Sequence, residues 1–228
     1  MTDPALDATT STAGDAYVHA AETPHQNRRG QRLGDKGQRT RTSILVATLE
    51  MLATMPLADV TMAEVTKRLG LNAAAFYRYF ADIGEVLVAA YACVTEEAER
   101  LTSLIERDWS HMGADAAALE LADAYFKFWR RHAPLLQARN ALADAGDARF
   151  VLCRRQLAEP LAQALAGKLQ GVEEPDLASP IALASLLIMA LEHAAAVSAH
   201  PVYRSERPWP GLRLALAEMI AAAVARRG

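Results

Sequence analysis

The run Phe76-Tyr77-Arg78-Tyr79-Phe80 sets two phenols beside one guanidinium and closes them between two phenylalanines. Phenol hydroxyls and a guanidinium donate hydrogen bonds to anionic oxygens, so the chemistry on offer is recognition of phosphates or base edges. Bond-making chemistry finds little support elsewhere. Asp144 and Asp147 beside Arg149 could hold a metal, but no second acidic cluster accompanies them, and a solvated loop accounts for them better. Cys93 and Cys153 sit far apart in apolar contexts, and His111, His132, His193 and His200 are isolated. There is no HExxH, no Walker loop and no nucleophile elbow. We therefore expect no catalytic residue, no metal and no cofactor, an all-α enzyme being the weaker rival reading.

The elements that must position Tyr77 and Arg78 can be read from local signals. Ile44, Leu45, Thr48, Leu49 and Leu52 recur at helical spacing from about Lys36 and predict a first helix that stops before Pro56. Thr61, with Glu64 three residues on, forms a capping box for a second helix over Met62–Leu69. Gly70 ends it, because glycine takes the left-handed conformation without steric cost. Asn72 caps a third helix through Tyr79, held down by Leu71, Phe76 and Phe80. Two short helices about a glycine turn make a helix-turn-helix, whose second helix presents its outer face to the major groove of DNA. That face would hold Ala73, Ala74, Tyr77 and Arg78, with Ala75 and Tyr79 at its margins. Packing of the two tyrosines against the next helix is the alternative.

Charge agrees with such a module. The chain carries −3 overall, yet residues 28–80 hold nine Lys and Arg against four acids, while 1–27 hold four acids and no Lys or Arg. One basic segment on an acidic protein is the footprint of a small nucleic-acid-binding module on a body that avoids phosphate. With 228 residues, 52% of them hydrophobic and only 6% aromatic, the chain can bury a large alanine-rich core, and an all-α fold is expected. Residues 1–34 read as a disordered tail whose basic part, Arg28–Arg32, could follow phosphates or enter the minor groove. No segment reads as a signal peptide, and the apolar run Ile181–Ala190 is too short to span a bilayer, so no membrane partner and a cytoplasmic location are expected.

Taken together, Leu69-Gly70-Leu71-Asn72, Phe76-Tyr77-Arg78-Tyr79-Phe80 and Asp82 resemble the tetracycline-repressor (TetR) family over residues 36–90. The resemblance implies a transcriptional regulator in which Tyr77 and Tyr79 bond phosphates and Arg78 touches phosphate or a base edge. It further implies that Thr61 and Asn72 set helix N-termini against the backbone, and that Arg39, Arg41 and Thr42 add phosphate contacts. Two positions depart from the family pattern. Ile83 stands where many members have lysine, and Ala73, Ala74 and Ala75 stand where many have polar residues. Alanine can touch a thymine methyl but reads no donor or acceptor pattern, so Arg78, the tyrosines and the basic arm would carry more of the recognition.

The remainder reads as a helical body of 83–228 behind a helix-turn-helix domain of 35–82, about nine helices in all. Asp82 caps a helix to about Asp108, and another covers Ala114–His132. Pro134 starts a short one to about Ala143, and Ala148–Gln170 is kinked or divided by Pro160. Pro180 opens a helix to about His200, and Pro208 or Pro210 opens the last, to Arg227. The resemblance implies that these two final helices pair with their copies in a homodimer, with Leu183, Leu187, Leu191, Leu212, Leu216 and Met219 at the interface. Mutual burial within one chain is the other reading. Trp109, Tyr125, Phe126, Trp129, Met189 and His193 are candidates to line a pocket for a small hydrophobic effector, although each is also an ordinary core residue. Effector binding would then shift a population away from the spacing that fits a palindromic operator. Sequence leaves open a DNA-binding regulator that senses no small molecule.

Overall fold

The computed structural model describes residue 28 and residues 30–170, 178–200 and 211–227. Most of the tail expected over 1–34, and the two prolines expected to open the last helix, lie outside these. Every regular element among the described residues is helical, the single bridge residue Arg32 apart. The helices are α1 (Asp35–Thr54), α2 (Met62–Leu69), α3 (Ala73–Tyr77), α4 (Ile83–Glu106), α5 (Ala114–Asp144), α6 (Ala148–Lys168), α7 (Pro180–Ala199) and α8 (Leu212–Arg227), with a 3-10 turn at Leu57–Asp59.

The described residues fall into two compact units. One comprises those up to Val94 together with Pro134–Cys153, and the other comprises Thr95–Ala133 with those from Arg154 onward. In the first unit α1 packs on α2 and α2 on α3. Ile44, Val65 and Phe76 are fully buried there, as the spacing along each helix requires. In the second unit Tyr125, Trp129, Leu165 and Leu191 are fully buried, and α7 packs against α8.

One proline expectation is corrected: Pro134 does not start a helix but lies inside α5. Of the two outcomes expected at Pro160, division is absent, since α6 runs through it unbroken. An internal proline removes one backbone bond and tends to bend a helix, at roughly 3 kcal/mol or more. Burial of Leu135 and Leu136 beside Pro134, and of Leu157 and Leu161 around Pro160, offsets that loss by roughly 1.5–3 kcal/mol for each side chain. The eight α-helices described are therefore fewer and longer than the nine expected.

Candidate nucleic-acid interface

The reading surface is assembled by caps. Thr61 Oγ1 accepts the backbone N–H of Glu64 at 3.3 Å to start α2. Gly70 ends it at φ 63° and ψ 29°, with its N–H donating to Lys67 O at 3.3 Å and the next N–H, of Leu71, to Thr66 O at 2.9 Å. This left-handed turn satisfies the last carbonyls of α2 and sends the chain straight into the cap of α3. There Asn72 Oδ1 accepts the N–H of Ala75 at 2.8 Å.

Phe76 and Phe80 are buried and their rings stack tilted at 6.1 Å, which anchors α3 from below. Asn72, Ala73, Ala74, Tyr77 and Arg78 are exposed on the other side, with Tyr77 open over 48% of its surface. Neither the Tyr77 hydroxyl nor the Arg78 guanidinium is tied up by a partner among the described residues. Arg28 approaches this surface from the chain start, its N–H bonding Arg78 O at 3.3 Å and its side chain 3.9 Å from Glu85. Arg39, Thr61, Lys67 and Arg68 are also exposed, and Thr42 is half-buried. Two of these bases have acidic neighbours, Arg68 pairing with Glu50 at 2.6 Å and Lys67 with Glu64 at 3.5 Å.

Two residues expected at the surface are turned inward. Tyr79 lies in the core at 9% exposure rather than at the margin of the reading face. α3 ends at Tyr77, Tyr79 N–H bonds Phe76 O three residues back in a tighter turn, and the Tyr79 hydroxyl lies against Gly37 of α1. Arg41 is buried too, its guanidinium 5.1 Å from the centroid of the Phe80 ring. Burial pushes its pKa below the usual arginine value, against the raising influence of the Glu85 carboxylate.

After Phe80 the chain turns into α4 through a reciprocal cap. Asp82 Oδ1 accepts the N–H of Glu85 at 2.7 Å, and Glu85 accepts the N–H of Ala81. Arg149, read from sequence as part of a solvated loop, grips Asp82 with Nη1 at 2.9 and 3.1 Å and Asp147 with Nη2 at 2.8 Å. Burial raises the pKa of Asp82, but the Arg149 hydrogen bond, the Glu85 N–H and the Arg149 charge together hold it below the ordinary value. The partners are separated by 67 residues, so no local signal announces this pairing.

The six candidate effector residues divide between core and surface. Tyr125 and Trp129 are fully buried, Trp109 nearly so, and Phe126 is half-buried, whereas Met189 and His193 are exposed on α7. Trp109 Nε1 donates to Leu104 O at 3.1 Å, and Tyr125 OH meets Glu192 Oε2 at 3.5 Å. The dimer candidates divide likewise. Leu187, Leu191 and Leu216 are buried inside their own chain, Leu183 and Leu212 are half-buried, and Met219 is 54% exposed. Ile181, Leu186 and Leu214 are exposed with Met189 and Met219. Cys93 and Cys153 are buried free thiols, and burial pushes the Cys153 thiol pKa up.

A capped, glycine-linked helix pair that lifts a tyrosine and an arginine clear of a phenylalanine core, ahead of a helical body, defines a helix-turn-helix regulator of transcription. Residues 101–225 match the family described as the tetracyclin repressor-like C-terminal domain, and residues 44–90 match bacterial regulatory proteins of the tetR family. The chain belongs to the TetR family of DNA-binding transcriptional regulators. Among solved structures, a transcriptional regulator of Streptomyces coelicolor A3(2) is similar at a TM-score of 0.54 and 18% identity, over 82% of this chain and 98% of that one. A TetR-family regulator of Pectobacterium atrosepticum is similar at 0.53 and 23%, over 84% and 93% of the two chains. These likenesses concern the fold. No curated protein matches the sequence.

Proposed function

We propose that this regulator is a ligand-responsive repressor that binds a palindromic operator as a homodimer and is released by a small hydrophobic effector. The observation that carries the DNA-reading part is the exposed row Ala73, Ala74, Tyr77 and Arg78 above buried Phe76 and Phe80. In this reading Tyr77 and Arg78 make the principal contacts, Arg39, Thr42, Thr61 and Asn72 contact the phosphate backbone, and Ala73 and Ala74 face base edges. Tyr79 and Arg41 act by holding α3 and α1 in place.

Homodimerisation is supported by the apolar side chains left open on α7 and α8, Ile181, Leu186, Met189, Leu214 and Met219, with Leu183 and Leu212 at their margin. A two-fold pair of reading helices about one DNA turn apart matches a palindrome. Trp109, Tyr125, Phe126 and Trp129 remain the proposed contacts of an effector, whose binding must differ between the two head spacings to have any effect. We place the protein in the cytoplasm, where its DNA is, with the reading domain over 35–82 and the body over 83–228.

Selection of bound sequences from random duplexes tests this function. An enriched inverted repeat supports it, and enrichment of nothing refutes it. A thermal-shift screen of apolar small molecules tests the effector, since a ligand at about a hundred times its Kd stabilises by about 2.7 kcal/mol.

A further inference from the structure

Gly84, in the first turn of α4, is absent from the glycines of positive φ, so its backbone does not call for glycine. What a side chain would meet there is Arg149: a Cβ would lie within 3 Å of its Nη2 and Cζ, so the guanidinium would have to move aside. The guanidinium occupies the room that any other residue would fill. It lies across the backbone of α4 with its Nη1 on both oxygens of Asp82, while Nε and Nη2 hold Asp147 at 3.1 and 2.8 Å. A planar guanidinium matched to two carboxylates fixes orientation in a way that a lysine ammonium cannot.

Asp82 is well placed to pass that orientation on. Its carboxylate caps α4 through the Glu85 N–H, and Glu85 in turn holds the Ala81 N–H, so the short link from Arg78 to Ile83 is bonded twice where it enters α4. Exposed ion pairs usually contribute only about 0–1 kcal/mol to stability, and Arg149 keeps 43% of its side chain exposed. What the pairing can supply is direction more than stability.

We propose that Arg149 is a positioning residue for operator recognition: by gripping Asp82 across the vacant side of Gly84 it fixes the angle at which α3 and α4 meet, and so the pose of Tyr77 and Arg78. This rests on the reading that the face bearing Tyr77 and Arg78 meets the operator.

The test uses the full chain, the operator enriched from random duplexes and an unrelated duplex of equal length. Arg149→Gln should weaken operator binding about tenfold while leaving affinity for the unrelated duplex as in the parent. Gly84→Ala, which removes no charge, should reproduce that selective loss by displacing the guanidinium, and Arg149→Lys should not restore binding. Asp82→Asn keeps a capping oxygen for α4, so the double variant with Arg149→Gln should bind no worse than the weaker single. Melting curves show that each variant is folded.

Unchanged operator affinity in both Arg149→Gln and Gly84→Ala overturns the proposal. So does a salt slope reduced by about 0.9 for each copy in Arg149→Gln but not in Gly84→Ala, since that marks a direct phosphate contact of Arg149 itself. Equal loss on both duplexes overturns it as well. If the parent chain enriches no site, the underlying reading has failed, and the role of Arg149 falls with it.

Discussion

Tyr77→Phe and Arg78→Ala separate two kinds of interaction on one surface. Tyr77 is 48% exposed, its ring rests edge-on against Phe76 at 6.0 Å, and its hydroxyl has no hydrogen-bond partner among the described residues. Deleting the oxygen therefore leaves the monomer's packing intact, and stability should move by no more than about 0.5 kcal/mol. On the operator the same hydroxyl would donate to a phosphate, a charge-assisted bond worth about 1.5–3 kcal/mol. A dimer carries two copies, so affinity should fall by at least about a hundredfold, at about 1.4 kcal/mol for each decade. Tyrosine releases no counterion, so the dependence of affinity on salt should be unchanged. Arg78→Ala removes a cation, and the slope of log K against log salt should fall by about 0.9 for each phosphate that is no longer neutralised, or about 1.8 for a dimer. Fluorescence anisotropy on a labelled operator over roughly 50 to 200 mM salt reads both quantities. Parent-like affinity in Tyr77→Phe, or parent-like affinity together with a parent-like slope in Arg78→Ala, would refute the assignment of this surface.

Two further outcomes follow from the geometry. Gly70→Ala forces an L side chain into the left-handed region at φ 63° with open space around it, so only backbone strain is added, and stability to urea should drop by about 1–2 kcal/mol. An unchanged midpoint would show that the turn between α2 and α3 can adopt another conformation. His132 is fully buried with Nε2 2.8 Å from Glu97, and burial pushes its pKa below the ordinary imidazole value against the raising effect of the carboxylate. The unfolded chain then binds this proton more readily than the folded one, so the contribution is fully present above about pH 6.5 and is lost as pH falls toward the lowered value. Melting temperature should decline between about pH 7 and pH 5 more steeply in the parent than in His132→Gln, and equal declines would contradict this account.

The reading head was legible because its signals are local. Thr61, Asn72 and Asp82 each cap the helix that follows, Gly70 takes the left-handed turn, and Phe76 and Phe80 fall on the buried side. Each of these depends on residues within four positions, which a spacing argument captures. Tyr79 and Arg41 were misread because their surroundings are tertiary: one tightened turn and one aromatic ring decide between solvent and core. Pro134 and Pro160 show a backbone preference overruled by packing on both sides. The Arg149 pairing was invisible, since it joins residues 67 apart and its only trace is a glycine that local conformation does not require. In α7, alanine and leucine surround the helix so evenly that hydrophobic periodicity could not separate the stripe facing its own chain from the stripe facing outward. Leu187 and Leu191 were therefore assigned to an interface when Leu186 and Met189 are the exposed pair.

That outward stripe bears on what α7 meets. The helix is 20 residues long with mean hydropathy 1.8, which by length and composition would suffice to cross a bilayer. Its environment argues against lipid: Leu187, Ile188, Leu191, Ala194 and Ala195 are buried, α8 packs on it, and Glu192 meets the Tyr125 hydroxyl. A carboxylate near the middle of a bilayer costs about 2.5–3.5 kcal/mol even on the mildest scale, and a free edge of leucine and methionine does not offset a polar face. In the proposed homodimer a second copy of the same surface would meet both requirements, covering exposed Leu186, Met189 and Met219 with their own kind. Leu186→Glu with Met219→Glu would place like charges on both sides of the proposed two-fold contact while disturbing little inside the chain, since both side chains are more than half exposed. Sedimentation should show monomers where the parent is dimeric, helicity should persist, and operator affinity should fall because each half-site then binds alone. A double variant that still sediments as a dimer would move the interface elsewhere, and parent protein that floats with vesicles would return α7 to the membrane.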